Sequence, residues 1–83
     1  MLVNKENLLT KIDQKRITDT AYVYISADPL GIELLFGYSE KESDEIELVD
    51  TDHCDEATWQ QLKDIAKQLS KLYGVELLED DVR

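Results

Sequence analysis

A turn sequence between two alternating segments constrains the fold of this chain more than any other feature. In residues 20–27, apolar residues alternate with Tyr22, Tyr24 and Ser26, and this period of two is typical of a half-buried strand. The next four residues, Asp28-Pro29-Leu30-Gly31, place Asp, Pro and Gly at positions that a type I turn favours. The sequence therefore predicts a β-hairpin in which Asp28 faces Gly31.

The register that this turn imposes sorts the hairpin's side chains onto two faces. The pairs on one face are all apolar: Ala27 with Ile32, Ile25 with Leu34, Val23 with Phe36, and Ala21 with Tyr38. The pairs on the other face are mixed: Ser26 with Glu33, Tyr24 with Leu35, and Tyr22 with Gly37. Turn chemistry and apolar pattern select the same pairing, so we expect this register, with the Tyr22 ring over the bare backbone of Gly37.

Two helices are predicted outside the hairpin. Asn4 is a suitable N-cap for a helix from about Lys5 to Arg16, whose thin apolar stripe comprises Leu8, Leu9 and Ile12. Asp55 is a suitable N-cap for a second helix, which carries Trp59 in a wide apolar stripe and ends at Gly74, a natural C-cap. We expect Trp59 to pack on the apolar face of the hairpin.

A third strand completes the predicted fold. Residues 45–49 alternate so that Ile46 and Leu48 face the core, while the opposite side receives Glu45, Glu47 and Val49. The predicted class is α+β in the order α-β-β-β-α, with a three-stranded antiparallel sheet and both helices on one face. Residues 75–78 either add a short final edge strand or remain irregular, and the sequence leaves both open.

Length and composition predict one small domain in a reducing compartment. We expect residues 1–78 to form a single domain and residues 79–83 to be a frayed tail. The apolar runs are much shorter than the roughly 20 residues that cross a bilayer, and no export signal is recognisable, so no membrane partner is expected. The lone Cys54 cannot form an intrachain disulfide, and the cytoplasm is the predicted location.

Negative charge is concentrated in the middle of the chain. The formal net charge is −10 at pH 7, and between residues 40 and 56 only Lys41 opposes nine carboxylates: Glu40, Glu42, Asp44, Glu45, Glu47, Asp50, Asp52, Asp55 and Glu56. One interpretation is a solvated surface, since charge runs are usually that. The other is a negative field that steers association with a basic surface.

The mixed face of the sheet is the candidate partner-binding surface. Glu45 and Glu47, two residues apart on a strand, would present carboxylates about 6.7 Å apart, comparable to neighbouring phosphates. Beside them an apolar patch of Tyr22, Tyr24, Leu35 and Val49 would be rimmed by Glu33. The predicted partner-binding residues are Tyr22, Tyr24, Glu33, Leu35, Glu40, Glu42, Asp44, Glu45, Glu47, Asp50 and Asp52.

Catalytic and metal chemistry lack a supporting pattern. His53 and Cys54 are neighbours in sequence and diverge in either regular structure, and the nearby carboxylates oppose a thiolate. Residues 50–55 begin like a calcium loop but lack its turn glycine and its final bidentate Glu. We therefore predict no catalytic residue, cofactor or metal. So acidic a chain is also not expected to bind nucleic acid directly. The second helix carries Lys63, Lys67 and Lys71, which are interpreted as a solvated stripe.

Two functional hypotheses remain. In length, charge and element order the chain loosely resembles small phage-encoded inhibitors that mimic nucleic acids, and its charge strategy is similar to that of acidic immunity proteins; the resemblance covers no motif. The first hypothesis is accordingly a non-enzymatic inhibitor or binding module that docks on a basic protein surface as a polyanion mimic. The second is a structural or accessory subunit that self-associates, as a homodimer for example, through the tyrosine-bearing face.

Overall fold

The computed structural model describes residues 4–83. Its helices are α1 (Lys5–Leu9) and α2 (Glu56–Tyr73), and its strands are β1 (Tyr22–Asp28), β2 (Gly31–Gly37), β3 (Glu45–Thr51) and β4 (Glu76–Asp81). Short 3-10 turns occupy Gln14–Arg16 and Glu42–Asp44. The α+β class is confirmed, but the predicted three-stranded sheet is wrong: one sheet has four strands in the order β3-β2-β1-β4.

The hairpin has the predicted register. Asp28 pairs with Gly31, and every pair of β1 and β2 up to Tyr22 with Gly37 matches the expectation. The turn is closed by one Asp28 carboxylate oxygen, which accepts from the backbone N–H groups of Leu30 at 2.8 Å and Gly31 at 3.1 Å. A Cβ on Gly37 would overlap the Tyr22 ring, so this tyrosine covers the glycine as predicted.

β4 corrects the prediction of a frayed C-terminal tail. Residues 79–81 belong to β4, which pairs in parallel with β1, and Val82 donates its backbone N–H to Ala27 O at 2.8 Å. The Arg83 side chain docks on the start of α2, donating to Cys54 O and Glu56 Oε2, and its guanidinium lies 5.2 Å from the centre of the Trp59 ring. Backbone pairing with β1 thus orders a segment whose composition alone resembles a solvated tail.

The first helix is shorter than predicted. It ends at Leu9 instead of Arg16 because the following residues find other hydrogen bonds. The Asp13 backbone N–H donates to the buried Tyr38 hydroxyl at 2.8 Å, and the Asp13 carboxylate accepts from Lys15 N, starting a separate 3-10 turn. Leu8 and Ile12 are nevertheless buried, so the core contribution expected of this segment is made.

A bulge in β3 corrects the prediction for Val49. Leu34 pairs with Val49 and Leu35 with Glu47, which leaves Leu48 as an extra residue in β3. Leu48 and Val49 are both buried, and a regular strand would have sent one of these two adjacent apolar side chains to solvent. Val49 therefore lies in the core rather than on the mixed face.

α2 covers one face of the sheet and leaves the other open. It begins and ends as predicted, with Asp55 accepting from Thr58 N and Gly74 in the left-handed conformation at φ 65°. Trp59 is only 4% exposed and joins Leu8 and the inward side chains of the sheet in one hydrophobic core. Leu72, in the last turn of α2, is exposed. No helix within residues 4–83 is long and apolar enough to span a bilayer.

Candidate protein-binding face

The sheet surface opposite α2 brings together most of the predicted partner-binding residues. Paired residues on neighbouring strands share a face, so the register defines this surface, which we call the open face. It consists of Tyr22, Tyr24 and Ser26 from β1, Glu33, Leu35 and Gly37 from β2, Glu45, Glu47 and Asp50 from β3, and Glu76, Leu78 and Asp80 from β4. Seven of these were predicted: Tyr22, Tyr24, Glu33, Leu35, Glu45, Glu47 and Asp50.

An apolar stripe crosses the middle of the open face. Leu35, Tyr24 and Leu78 lie side by side on β2, β1 and β4, and we call these three residues the apolar stripe. Leu78 is 37% exposed, while Leu35 and Tyr24 are half-buried. The stripe therefore presents apolar surface to solvent, with nothing from residues 4–83 folded over it.

Carboxylates border the stripe on both sides. The row two residues towards the Gly37 end contains Glu45, Tyr22 and Glu76, and the row towards the turn contains Asp50, Glu33, Ser26 and Asp80. Each row lies about 6.7 Å from the stripe. With Glu47 at the β3 end of the stripe, six carboxylates share the open face. No Lys or Arg occurs in any of the four strands, so the face has no cation of its own.

The tyrosine hydroxyls are tied to this acidic border. The Tyr22 hydroxyl donates to Glu45 Oε2 at 2.6 Å, and the Tyr24 hydroxyl lies 3.4 Å from Asp80 Oδ2. Burial, followed by the hydrogen bond and the charge of Glu45, raises the pKa of Tyr22 to about 12. Burial and the nearby Asp80 likewise raise the pKa of Tyr24. Both hydroxyls thus lie against carboxylates of the acidic border.

An acidic cleft lies where the open face meets the β1–β2 turn. It has a volume of about 400 Å³ and is lined by the carboxylate-bearing residues Asp28, Glu33, Asp50 and Asp52. Asp52 thereby joins the acidic end of the face although it follows β3. Despite this density, no group of His, Cys, Asp or Glu within residues 4–83 is arranged to hold a metal ion.

The loop carboxylates divide into two kinds. Asp44 is engaged within the protein, accepting from the Ser39 hydroxyl at 2.6 Å and lying 3.8 Å from the Arg16 guanidinium. Glu40 and Glu42 are exposed, and the charge of Glu42 acts on Tyr22, so Glu42 extends the negative field beyond the Glu45 end of the open face. Asp44 thus has a structural role in the loop that the sequence did not indicate.

Sequence reasoning missed the contribution of β4. Glu76, Leu78 and Asp80 supply one of the four columns of the open face, yet the segment was interpreted as a short optional strand and a tail. The Glu-Leu-Leu-Glu-Asp-Asp sequence lacks an alternating pattern. The structure separates the two adjacent leucines, since Leu77 packs against the core and Leu78 is exposed, and the sequence carries no signal for this difference.

The remaining reactive residues have separate surroundings. The Cys54 thiol lies 3.4 Å from the Pro29 carbonyl oxygen, whereas His53 Nε2 lies 3.9 Å from Asp52 Oδ1.

No protein-family model matches the chain, and comparisons with curated proteins and with solved structures find no similar protein.

Proposed function

We propose that this protein is a non-enzymatic, cytoplasmic binding module that docks its open face on a basic protein surface. Such a surface is typical of nucleic-acid-binding proteins, for which the module would act as a polyanion mimic and stoichiometric inhibitor. The observation that carries the proposal is the combination of six carboxylates, no Lys or Arg, and an exposed apolar stripe on one face. The carboxylates supply long-range attraction and the stripe supplies short-range affinity.

At least one pair of these charges works against the fold. Glu33 lies directly opposite Asp50, and like charges at paired positions destabilise a sheet. A face kept only for solubility needs neither the exposed Leu78 nor half-buried tyrosines surrounded by acids. A basic partner would offset the repulsion and cover the apolar residues in the same step.

The test is affinity capture from the source cells with immobilised protein. We expect the wild type to retain a basic protein that elutes with salt, and Glu45→Lys/Glu47→Lys to lose it. The matched control, Glu6→Lys/Asp64→Lys, makes the same change of charge at exposed residues of α1 and α2 and should retain the partner. Capture that survives charge reversal on β3 and resists salt would refute the proposal.

Self-association through the same face is a second candidate, favoured by the exposed apolar stripe. Its cost is electrostatic, because a symmetric dimer would bring two sets of carboxylates together. Sedimentation of the wild type and of Tyr22→Ala/Tyr24→Ala separates the two functions. A wild-type dimer that this variant converts to a monomer supports the second candidate, and a wild-type monomer opposes it.

A further inference from the structure

We infer that the occupant of the open face is an amphipathic basic helix of the partner, lying along the apolar stripe and across the strands. The inference rests on the proposed function and adds the form of the partner. The observation behind it is the order of chemistry across the face: an acidic row, an apolar stripe and a second acidic row. An occupant that matches this order has an apolar ridge with cations on both sides.

The dimensions of the stripe match those of a helix. Neighbouring strands are about 4.8 Å apart, so Leu35 and Leu78, two strands apart, are separated by roughly 10 Å. A helix rises about 10.5 Å over seven residues, which allows apolar side chains at i, i+3 or i+4, and i+7 to contact Leu35, Tyr24 and Leu78 in turn. The spacing therefore fits about two turns of helix.

The acidic rows lie where the flanks of such a helix would be. A helix with its side chains has a radius of about 5–6 Å, and each row lies about 6.7 Å from the stripe. Lys or Arg side chains on one flank would reach Glu45 and Glu76, and those on the other would reach Glu33, Asp50 and Asp80. The acidic cleft beside Glu33 would receive the longest of these side chains.

An extended segment fits the face less well. Its side chains alternate towards and away from the surface it lies on, so cations beside an apolar residue would point to solvent instead of sideways to the acidic rows. Strand addition would need the outer edge of β3 or β4 rather than the open face. In β3 the Leu48 carbonyl already accepts from Lys11 Nζ at 3.1 Å.

The experiment compares two synthetic peptides of identical composition. In the first, Leu residues follow i, i+3/i+4, i+7 spacing with Lys and Arg on both flanks; in the second, the same residues are scrambled so that no apolar face exists. We expect the full-length protein to bind the first at least tenfold more tightly by fluorescence anisotropy. Backbone amide shifts should concentrate at Leu35, Tyr24 and Leu78, and the peptide should become helical.

Variants of the protein then locate the interaction. Leu35→Ser/Leu78→Ser should remove most of the tenfold preference, because the apolar ridge loses its contact. Glu33→Gln/Asp80→Asn should weaken binding several-fold and flatten its dependence on salt. The matched control Glu6→Gln/Asp64→Asn, on the helices, should bind like the wild type. Circular dichroism and thermal melting confirm that each variant is folded.

Several results would overturn the helix inference without touching the proposed function. These are equal affinity for both peptides, binding of neither while the wild type still captures a basic protein through Glu45 and Glu47, or peptide-induced shifts confined to α2. Failure of the proposed function is separate, since it appears as capture that is insensitive to salt and to charge reversal on β3. A helical peptide that prefers the open face, with loss of preference in the Leu35/Leu78 variant, supports the inference.

Discussion

The two faces of the sheet differ in whether their carboxylates are paired with cations. On the helix side, Arg83 donates to Glu56 and Asp81 at 2.9 Å, and Lys63 lies 3.7 Å from Glu79. On the open face, six carboxylates have no cation among their strands. The charges of the helix side hold elements together, whereas those of the open face repel one another without a compensating cation from the strands.

The largest expected difference concerns apolar packing on the two faces. Trp59 is 4% exposed, and Trp59→Ala should lower the free energy of unfolding by about 3–5 kcal/mol. Leu78 is 37% exposed on the open face, so Leu78→Ala should lower the free energy of unfolding by less than half as much. Urea denaturation of both variants measures the difference. Equal losses would mean that the open face is also part of the core.

Acid should weaken the helix side in a way that depends on Arg83. The N–H of Thr58 lowers the pKa of Asp55, Gln60 and Arg83 lower that of Glu56, and Arg83 lowers that of Asp81. Each of these carboxyls has a lower pKa in the folded protein than in the unfolded chain. Their ionised forms therefore stabilise the fold above roughly pH 4, and this stabilisation is lost as the pH falls through the folded pKa values.

Thermal melts between about pH 2 and pH 7 test this acid dependence. Arg83→Gln should lower Tm at neutral pH and show a smaller further loss in acid, because two of the three carboxylates have lost their cation. Lys67→Gln, a change at an exposed residue of α2, is the control and should follow the wild type. Parallel curves for Arg83→Gln and the wild type would contradict the assigned role of Arg83.

Removing one carboxylate from the open face should raise stability. Asp50→Asn relieves the repulsion with Glu33 and should add about 0.2–1 kcal/mol at low salt. The gain should shrink as ionic strength rises, because salt already screens these exposed charges. Asp64→Asn on α2 is the matched control, and denaturant titration at two salt concentrations is the measurement. A destabilised Asp50→Asn would show that this carboxylate supports the fold.

The smallest expected effect concerns the hydroxyl of Tyr22. Its raised pKa, about 12 in the folded protein, means that Tyr22 stabilises the fold below its unfolded pKa near 10, a contribution lost as pH rises through 12. Glu45→Gln should lower the Tyr22 pKa only in part, since burial is the leading cause. A ring-resonance NMR titration measures it. An unchanged value in Glu45→Gln would exclude the charge of Glu45 as a contributor.

The parts of the fold predicted from sequence are those set by local chemistry. The hairpin register follows from Asp28 and Gly31 at the turn and from alternation beside it, and the ends of α2 follow from Asp55 and Gly74. The Leu48 bulge and the pairing of β4 depend on distant partners. Nothing near Leu48 in the sequence reveals that both it and Val49 are buried.

The candidate site likewise contains residues placed by local sequence and residues placed by distant pairing. Tyr22, Tyr24, Glu33 and Leu35 were placed together because the hairpin alone fixes their face. Glu76, Leu78 and Asp80 reach the face only because α2 returns the chain to the far side of β1, a parallel pairing that no local pattern encodes. The acidic row near the turn is therefore more complete than the sequence indicated.

The late position of β4 in the chain also bears on synthesis at the ribosome. The hairpin, β3 and α2 emerge before β4, so a growing chain holds β1 for a time as an unpaired edge bearing Tyr22 and Tyr24. Such an edge invites pairing with other chains and aggregation. β4 pairs with this edge and becomes the new edge strand of the sheet. Because β4 is rich in Glu and Asp, the new edge repels other chains. Pairing of β4 with β1 thus covers the β1 edge and completes the open face in the same event.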